Sequence, residues 1–581
     1  MAPLPARAPA GAGAAADTGA RRLALLVPAL AAGEPDAALL APSGALAVGA
    51  DFARGTASTD VAIPLFGRLA GGTLSSPGLA SVAAFADGSP SVVRFEVDRV
   101  RRILFRFDLL ANVFLHLSRL EELLATERDA FGRFPATRSV LSSSGALRTA
   151  PVDRLAAFFA ELAARENTDP AGFLPRRALW PGGEPSAIHL SHDVDQAVSW
   201  PRRFARDLAA AARGAVGAGD AVGARDAVGA RGAAEGAGGA RVSFGAALAR
   251  TTRHLSRANR DPALFPRAVH EFERAARVPS SWFFLTVPRD GEGRRYRVSS
   301  PPFARFLREL RAAGSEVGLH GSIQASGDAA AMETERAHLE GVLGERIDGN
   351  RQHYLVISAA DTFRNLATAG IRHDSSVGYS SDVGFRAGTS LPFRPYDVAR
   401  EAPIDLVEIP LGVMDVTLIQ PGARAVDLDP LWREMLDQQS AIGGLLTVLW
   451  HPRMFDAETH PAGRAPYESL VRAGRARGLP FVTAREAAAW WRAREGLRLV
   501  AVERADAVAV APPGETILRY ESAEAIERAT IVLARAPAPL RIDVRGVNRI
   551  GDSGADANAS PRVTVGPISA GGTFEIRVAA E

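Results

Sequence analysis

The chain has no cysteine and no lysine. The first absence excludes disulfides, thiolate nucleophiles and cysteine-ligated zinc, so any metal must rest on histidine, aspartate or glutamate. It leaves the redox compartment open. The second absence explains why a formal net charge of only +3 goes with a pI of about 9.6. All 68 basic residues are arginine, so the titration curve is flat near neutrality and the first basic group to lose its proton does so very late. Because 65 acidic residues are interleaved with them, the high pI does not mark a nucleic-acid partner. Also missing is any apolar run long enough to span a bilayer. The segment from Arg21 to Ala32 has a basic start, an apolar stretch and small residues at its end, as a signal peptide would. Pro28 interrupts it, and a buried first strand explains it as well. The expectation is a cytoplasmic chain, with export the alternative that residues 21–32 carry.

At 581 residues the chain is too long for one core. Residues 1–20 are Ala, Pro and Gly with little to bury, and are expected to be disordered. Residues 21–150 read as an independent accessory α/β domain. Within it, Val97 to Asp108 and on through Leu124 has apolar residues at three- and four-residue spacing, which predicts helix. The segment Asp129 to Pro135 ends it with turn chemistry. Residues 205–241 repeat short Ala-Val-Gly-Ala units; Ala and Gly bury too little to offset ordering entropy, so the stretch reads as a flexible surface insertion.

From 185 to 492 strand-like and helix-like segments alternate. The strand candidates are 187–191, 281–286, 316–320, about 349–351, 371–374, 406–410, 445–450 and 480–483. Such alternation implies parallel strands with crossover helices, and seven or eight units suit a (β/α) barrel. After Trp491 the texture changes to short alternating segments split by Pro, Gly and Asn. Residues 497–581 therefore read as an antiparallel β-sandwich. The expected class is α/β: a distorted (β/α)7–8 barrel with an N-terminal α/β domain and a C-terminal sandwich.

Five groups lie at or just past the C-terminal ends of predicted strands: Asp193-Val194-Asp195, His320, Arg351 with His353 and Tyr354, Asp374 with Ser375 and Ser376, and His451. In a parallel barrel those ends share one rim, where loops place catalytic groups. Asp193 and Asp195 are two apart, so on a continuing strand they point the same way. Two such carboxylates stay ionised only with a cation or arginine nearby. A lone Asp-x-Asp is more often a loop cap; its coincidence with four other polar groups on one rim is what gives it weight. His192 should point away from Asp193. His116, His254, His270 and His338 fall in helical patterns, as surface or satisfied core residues do. His373 is nearer the rim, where a supporting role is open to it.

On these residues the chain resembles the NodB-homology polysaccharide deacetylases (carbohydrate esterase family 4), in the branch whose first motif reads Asp-Val-Asp. The resemblance covers roughly 185–490. It implies that Asp193 is the general base, Asp195 a metal ligand, His320 another, Arg351 the residue that orients the base and His451 the general acid. The family's second motif has two histidines four residues apart, but here Gln324 stands at the second place. His353 could complete the set from the next strand; Gln324 could ligate through its carbonyl, though amides are weak zinc ligands; or the site has lost its metal. The implied cofactor is a divalent metal, zinc first. Segments around Tyr379, Arg386 and Glu408 to Asp415 also resemble the branch, with Tyr379, Arg386 and Tyr354 as candidates for sugar contact or for loop scaffolding. Residues 21–145, with Phe131 to Pro135, resemble the N-terminal domain that accompanies it.

The activity implied is hydrolysis of N-acetyl groups from a polysaccharide or amino-sugar glycan. Two other readings stay open: hydrolysis of another non-peptide C–N bond, such as a cyclic imide, or a non-catalytic carbohydrate-binding or assembly protein. An open groove lined by aromatics favours sugar, and a closed pocket favours a small imide.

Overall fold

The computed structural model describes residues 44–48, 61–65, 80–84, 90–97, 100–105, 107, 109–165, 174–197, 261, 263–286, 296–358, 361–420, 423–504, 515–534, 540–551 and 561–580. The stretches 1–20, 21–32 and 205–241, together with His254, lie outside them. Among the described residues no helix is long and apolar enough to cross a membrane.

Eight parallel strands form the central sheet. They are β1 (Ala187–Val194), β2 (Ser281–Phe284), β3 (Glu316–Gly321), β4 (Gly349–Gln352), β5 (His373–Asp374), β6 (Val407–Glu408), β7 (Val413–Met414) and β8 (Leu445–Leu449). Their order is β6-β5-β4-β3-β2-β1-β8-β7, and every neighbouring pair is parallel. The sheet thus curls into an open barrel whose two edges, β6 and β7, are consecutive in the chain. Around it lie helices α1 (Leu264–Ala276), α2 (Pro301–Ala312), α3 (Ala329–Leu343), α4 (Asp361–Thr368), α5 (Asp429–Ile442), α6 (Arg464–Ala476) and α7 (Ala484–Gly496).

β1 shows how sequence sets the two faces. All eight of its residues are buried. Ile188, Leu190 and Val194 join the large core between sheet and helices. The alternate residues are polar: His189 reaches Ser281 Oγ at 3.0 Å, and Ser191 accepts from Arg351 at 3.1 Å. Period-two alternation therefore puts an apolar face toward the helices and a polar face inside the barrel.

One predicted barrel strand is replaced. Residues 480–483 make only an isolated bridge, Phe481 with Ile188, because Thr483 caps α7 in a capping box with Glu486 and turns the chain into helix. The eighth strand is instead β7, which is only two residues long.

The predicted helix from Val97 to Asp108 is also corrected. Pro90–Val97 and Val100–Phe105 form an antiparallel hairpin, and helix begins only at Leu109. Ile103, Phe105 and Phe107 all pack into one small cluster with Leu155, Phe158 and Leu162. Their spacing of two, with arginine at 102 and 106, belongs to a strand.

The N-terminal unit packs directly on the barrel. Arg386 clasps Glu122 through two bonds, Nε to Oε1 at 2.8 Å and Nη2 to Oε2 at 2.7 Å, with both side chains buried. Phe385 N–H donates to the Leu147 carbonyl, and Val152 N–H to that of Gly388. Asp153 accepts from Ser390 N and Oγ at 2.7 and 2.6 Å. Gly384 has φ +148, and a Cβ there would strike the Leu147 carbonyl, so the close approach requires glycine.

Beyond α7 lie two four-stranded antiparallel sheets. One orders Leu497–Arg504, Thr516–Ser522, Thr573–Ala580 and Leu540–Arg545; the other orders Arg549–Gly551, Arg562–Val565, Ala529–Ala534 and Leu174–Arg177. Leu518, Tyr520, Phe574 and Ile576 from the first share a core with Ile531, Leu533, Val563 and Val565 from the second. The strand 174–177 precedes the barrel in sequence, outside the span 497–581 assigned from sequence to this region.

Candidate active site

The C-terminal ends of β1, β3, β4 and β8 bring the polar groups together. Asp193 is the seventh residue of β1 and Asp195 lies just past its end. His320 is on β3 and Arg351 on β4, paired directly across the ladder. His353 opens a short turn after β4, and His451 lies two residues past the end of β8.

Asp195 is the hub. Its Oδ1 lies 3.4 Å from His320 Nε2 and 3.5 Å from His353 Nε2, and its Oδ2 lies 3.6 Å from His451 Nε2. The ligand atoms of Asp195, His320 and His353 all fall within 4.8 Å of one another. His320 donates Nδ1–H to the Arg351 carbonyl at 2.8 Å, which fixes the tautomer and leaves Nε2 with the lone pair facing Asp195. Asp195 Oδ1 is sealed from solvent yet has no hydrogen-bond partner. An orphaned carboxylate oxygen between two imidazole nitrogens suits a divalent cation, and one carboxylate with two imidazoles suits zinc. Burial would push the Asp195 carboxyl up, but the neighbouring His320, His353 and His451 imidazoles hold it well below the usual carboxylate range. For His320, burial lowers the pKa, and Asp193 with Asp195 more than reverse this.

Asp193 faces a different partner. Its Oδ1 lies 3.6 Å from Arg351 Nη1, and its Oδ2 lies 3.8 Å from His320 Nε2. Arg351 is fully buried. Its Nη2 donates to Ser191 Oγ at 3.1 Å and Ser375 Oγ at 2.9 Å, and its guanidinium sits 5.2 Å from the centre of the Phe283 ring. Anchored on those sides, Arg351 presents Nη1 to Asp193.

Opposite stands His451. Its Nδ1–H donates to Asp415 Oδ1 at 2.8 Å, and its backbone N–H donates to the second Asp415 oxygen. Burial alone would lower the His451 pKa; the Asp415 carboxylate raises it above the ordinary value. Asp415 was not assigned a role from sequence, although its segment was singled out. It reaches His451 because β7 pairs with β8, Met414 beside Leu449.

The remaining candidates divide. Tyr354 lies at the rim, 40% exposed, with its ring stacked on Phe131 at 4.8 Å and tilted against His353 at 4.1 Å. Tyr379 and Arg386 are buried. Arg386 is engaged with Glu122, so it is part of the seam with the N-terminal unit and not exposed to a groove. Gln324 is exposed at the cap of a short turn. His373 bonds Glu316 at 2.6 Å, at the start of β3, and so sits away from the rim. Asp374 accepts from Asn350 at 2.7 Å and from Ser376, bracing the loop that carries Ser375. His192 points outward to Glu273 at 2.8 Å. His116 and His270 are buried, and His338 is exposed.

Residues 70–167 match the model of a family of unknown function, DUF7033. No curated protein matches the chain. Among solved structures, a Mycobacterium smegmatis protein assigned as a polysaccharide deacetylase is 17% identical, with a TM-score of 0.34, over 56% of this chain and 96% of its own. The allantoinase Puue is 15% identical with a TM-score of 0.33, over 56% of this chain and 97% of its own. A Pseudomonas aeruginosa protein assigned as a polysaccharide deacetylase is 14% identical with a TM-score of 0.32, over the same shares. Likenesses of that strength decide neither fold nor chemistry, which rest on the geometry above.

Proposed function

We propose that this chain is a metal-dependent hydrolase that removes N-acetyl groups from an amino-sugar glycan. The observation that carries the reading is a carboxylate, Asp195, facing three imidazoles while its neighbour Asp193 faces a buried guanidinium. That arrangement supports the roles implied by the motif resemblance. Asp195, His320 and His353 would hold the ion, which when bound lowers the pKa of a coordinated water and polarises the scissile carbonyl.

Asp193 takes the proton of the attacking water. Arg351 keeps that carboxylate aimed, with Nη1 3.6 Å from Asp193 Oδ1. His451, held protonated by Asp415, delivers the Nε2 proton to the departing nitrogen. Acetate and a free amine leave, and the proton on Asp193 returns to solvent as His451 regains one. Tyr354, 40% exposed at the rim beside His353, offers an aromatic edge to a sugar ring. This open aromatic edge favours a glycan over a small imide. Around the site we assign an N-terminal accessory domain over 21–150, the barrel over 185–492 and a β-sandwich over 497–581 completed by 174–177.

The test is acetate release from N-acetylated glycan oligomers by the zinc-loaded chain. Asp193→Asn and His451→Ala should each lower turnover by about 100-fold or more while metal content stays near that of the parent. Unchanged turnover in both variants would sink the assignment.

A further inference from the structure

We infer that the loop Asp129–Pro135 of the N-terminal unit is a positioning element for the third metal ligand, with Arg133 and Phe131 clamping Tyr354 and thereby fixing His353. The inference rests on the metal reading above and extends it to residues outside the barrel.

Backbone geometry raises the question. Tyr354, directly after His353, has φ 58 and ψ 13, and Leu355 has φ 56. Two consecutive non-glycine residues in the left-handed region persist only where surrounding structure holds them. Two contacts that hold Tyr354 come from the N-terminal loop. Arg133 Nη1 donates to the Tyr354 carbonyl at 2.7 Å, and the Phe131 ring stacks on the Tyr354 ring with planes 16° apart.

The clamp is itself built. Arg133 Nε is fixed on Asp129 Oδ2 at 2.7 Å, and its guanidinium lies 4.9 Å from the centre of the Phe131 ring. Asp129 Oδ1 accepts from Phe131 N and Arg133 N at 2.8 and 2.9 Å, closing the turn. On the other side, the Tyr354 ring lies 4.1 Å from that of His353, whose Nε2 is 3.5 Å from Asp195. A continuous run of contacts thus leads from Asp129 through Arg133 and Tyr354 to the ligand set. Losing the clamp frees the turn to relax, and the imidazole with it.

The experiment uses the full-length chain with cobalt(II), whose visible absorption reports coordination number and geometry. Arg133→Ala should weaken cobalt binding by about 10- to 100-fold, as loss of a supporting contact does elsewhere, and should move the spectrum toward that of His353→Ala. Arg133→Lys keeps a donor for the carbonyl and should recover part of both. Val140→Ala truncates a buried residue of the same unit away from Tyr354, and should lower thermal stability with the spectrum unchanged. If Arg133→Ala does not fold, Phe131→Leu removes the ring stack and is read the same way, with weaker binding expected. Cobalt bound alike by the parent and by these variants overturns this inference and leaves the metal reading standing. A parent chain that takes up no cobalt overturns both.

Discussion

Asp415 holds His451 by two bonds, one to the ring Nδ1 at 2.8 Å and one to the backbone N–H of the same residue. This fixes the rotamer of the imidazole and the donor role of Nδ1, leaving Nε2 to face Asp195. A general acid must be protonated to act, and the Asp415 carboxylate is what raises the His451 pKa against the effect of burial. Asp415→Asn should therefore move the alkaline limb of the pH–rate profile to lower pH and cut turnover by about 10- to 100-fold at neutral pH. Metal content should not change. A loss of rate with no movement of that limb would assign Asp415 a purely structural part.

The ligand set makes a separate prediction. Asp195, His320 and His353 converge within 4.8 Å, whereas Gln324 is exposed. His320→Ala and His353→Ala should each weaken zinc binding by more than about 100-fold, since loss of a direct ligand exceeds the usual cost of losing a supporting contact. Gln324→Ala should leave it unchanged. Titration of the metal-free chain checks all three, and zinc lost on altering Gln324 but kept on altering His353 would reverse the assignment. Chelation should also abolish turnover and zinc should restore it.

Glu121 offers a test of stability. It is buried, accepts from Ser139 Oγ at 2.9 Å and Val140 N at 3.0 Å, and has its pKa pushed by burial up to about 7. A carboxyl whose folded pKa is raised binds its proton more tightly in the folded state. It therefore contributes stability that is complete below its unfolded pKa and is lost as pH rises through its folded pKa. The window runs from about 4.5 to about 7. Glu121→Gln should flatten the fall of stability with pH in that window, by a few kcal/mol at most at about 1.4 kcal/mol per unit. Urea midpoints of parent and variant at pH 5 and pH 7 provide the comparison, and identical slopes would refute it.

The parts of the site that were legible in the sequence are those that depend on strand ends. Asp193, Asp195, His320 and His451 each follow a strand-like run, Arg351 lies in the short segment from Gly349 to Gln352, and a parallel sheet brings such ends to one rim whatever the details. Asp415 was not legible, because its partner depends on a two-residue strand pairing with β8, which no periodicity announces. For Tyr379 and Arg386 the sequence leaves sugar contact and loop scaffolding both open, because nothing local indicates that Glu122 will bury the Arg386 guanidinium. The hairpin at 90–105 was misread for another reason. Val97, Val100 and Leu104 satisfy helical spacing while Ile103, Phe105 and Phe107 satisfy strand spacing, and the packing against Leu155 and Phe158 decides between them.

The strand Leu174–Arg177 leads to the last prediction. It pairs antiparallel with Ala529–Ala534, Ile531 beside Arg177 and Ala534 beside Leu174, so two segments far apart in sequence share one ladder. Arg177 strengthens the join by donating Nη1 to the Leu497 carbonyl at 2.7 Å, and Trp490 Nε1 donates to the Leu179 carbonyl at 2.7 Å. Ile531 is fully buried in the core between the two sheets. Ile531→Ala opens a cavity there and should cost about 2–5 kcal/mol of stability. Segments that unfold as one cooperative unit lose protection together. The amides of 174–177 should then exchange faster in the variant alongside those of 529–534, while those of β1, a few residues further on, keep their protection. Hydrogen exchange resolved by segment measures this. If 174–177 stays protected while 529–534 opens, the strand belongs energetically to the barrel and the two C-terminal sheets are complete without it.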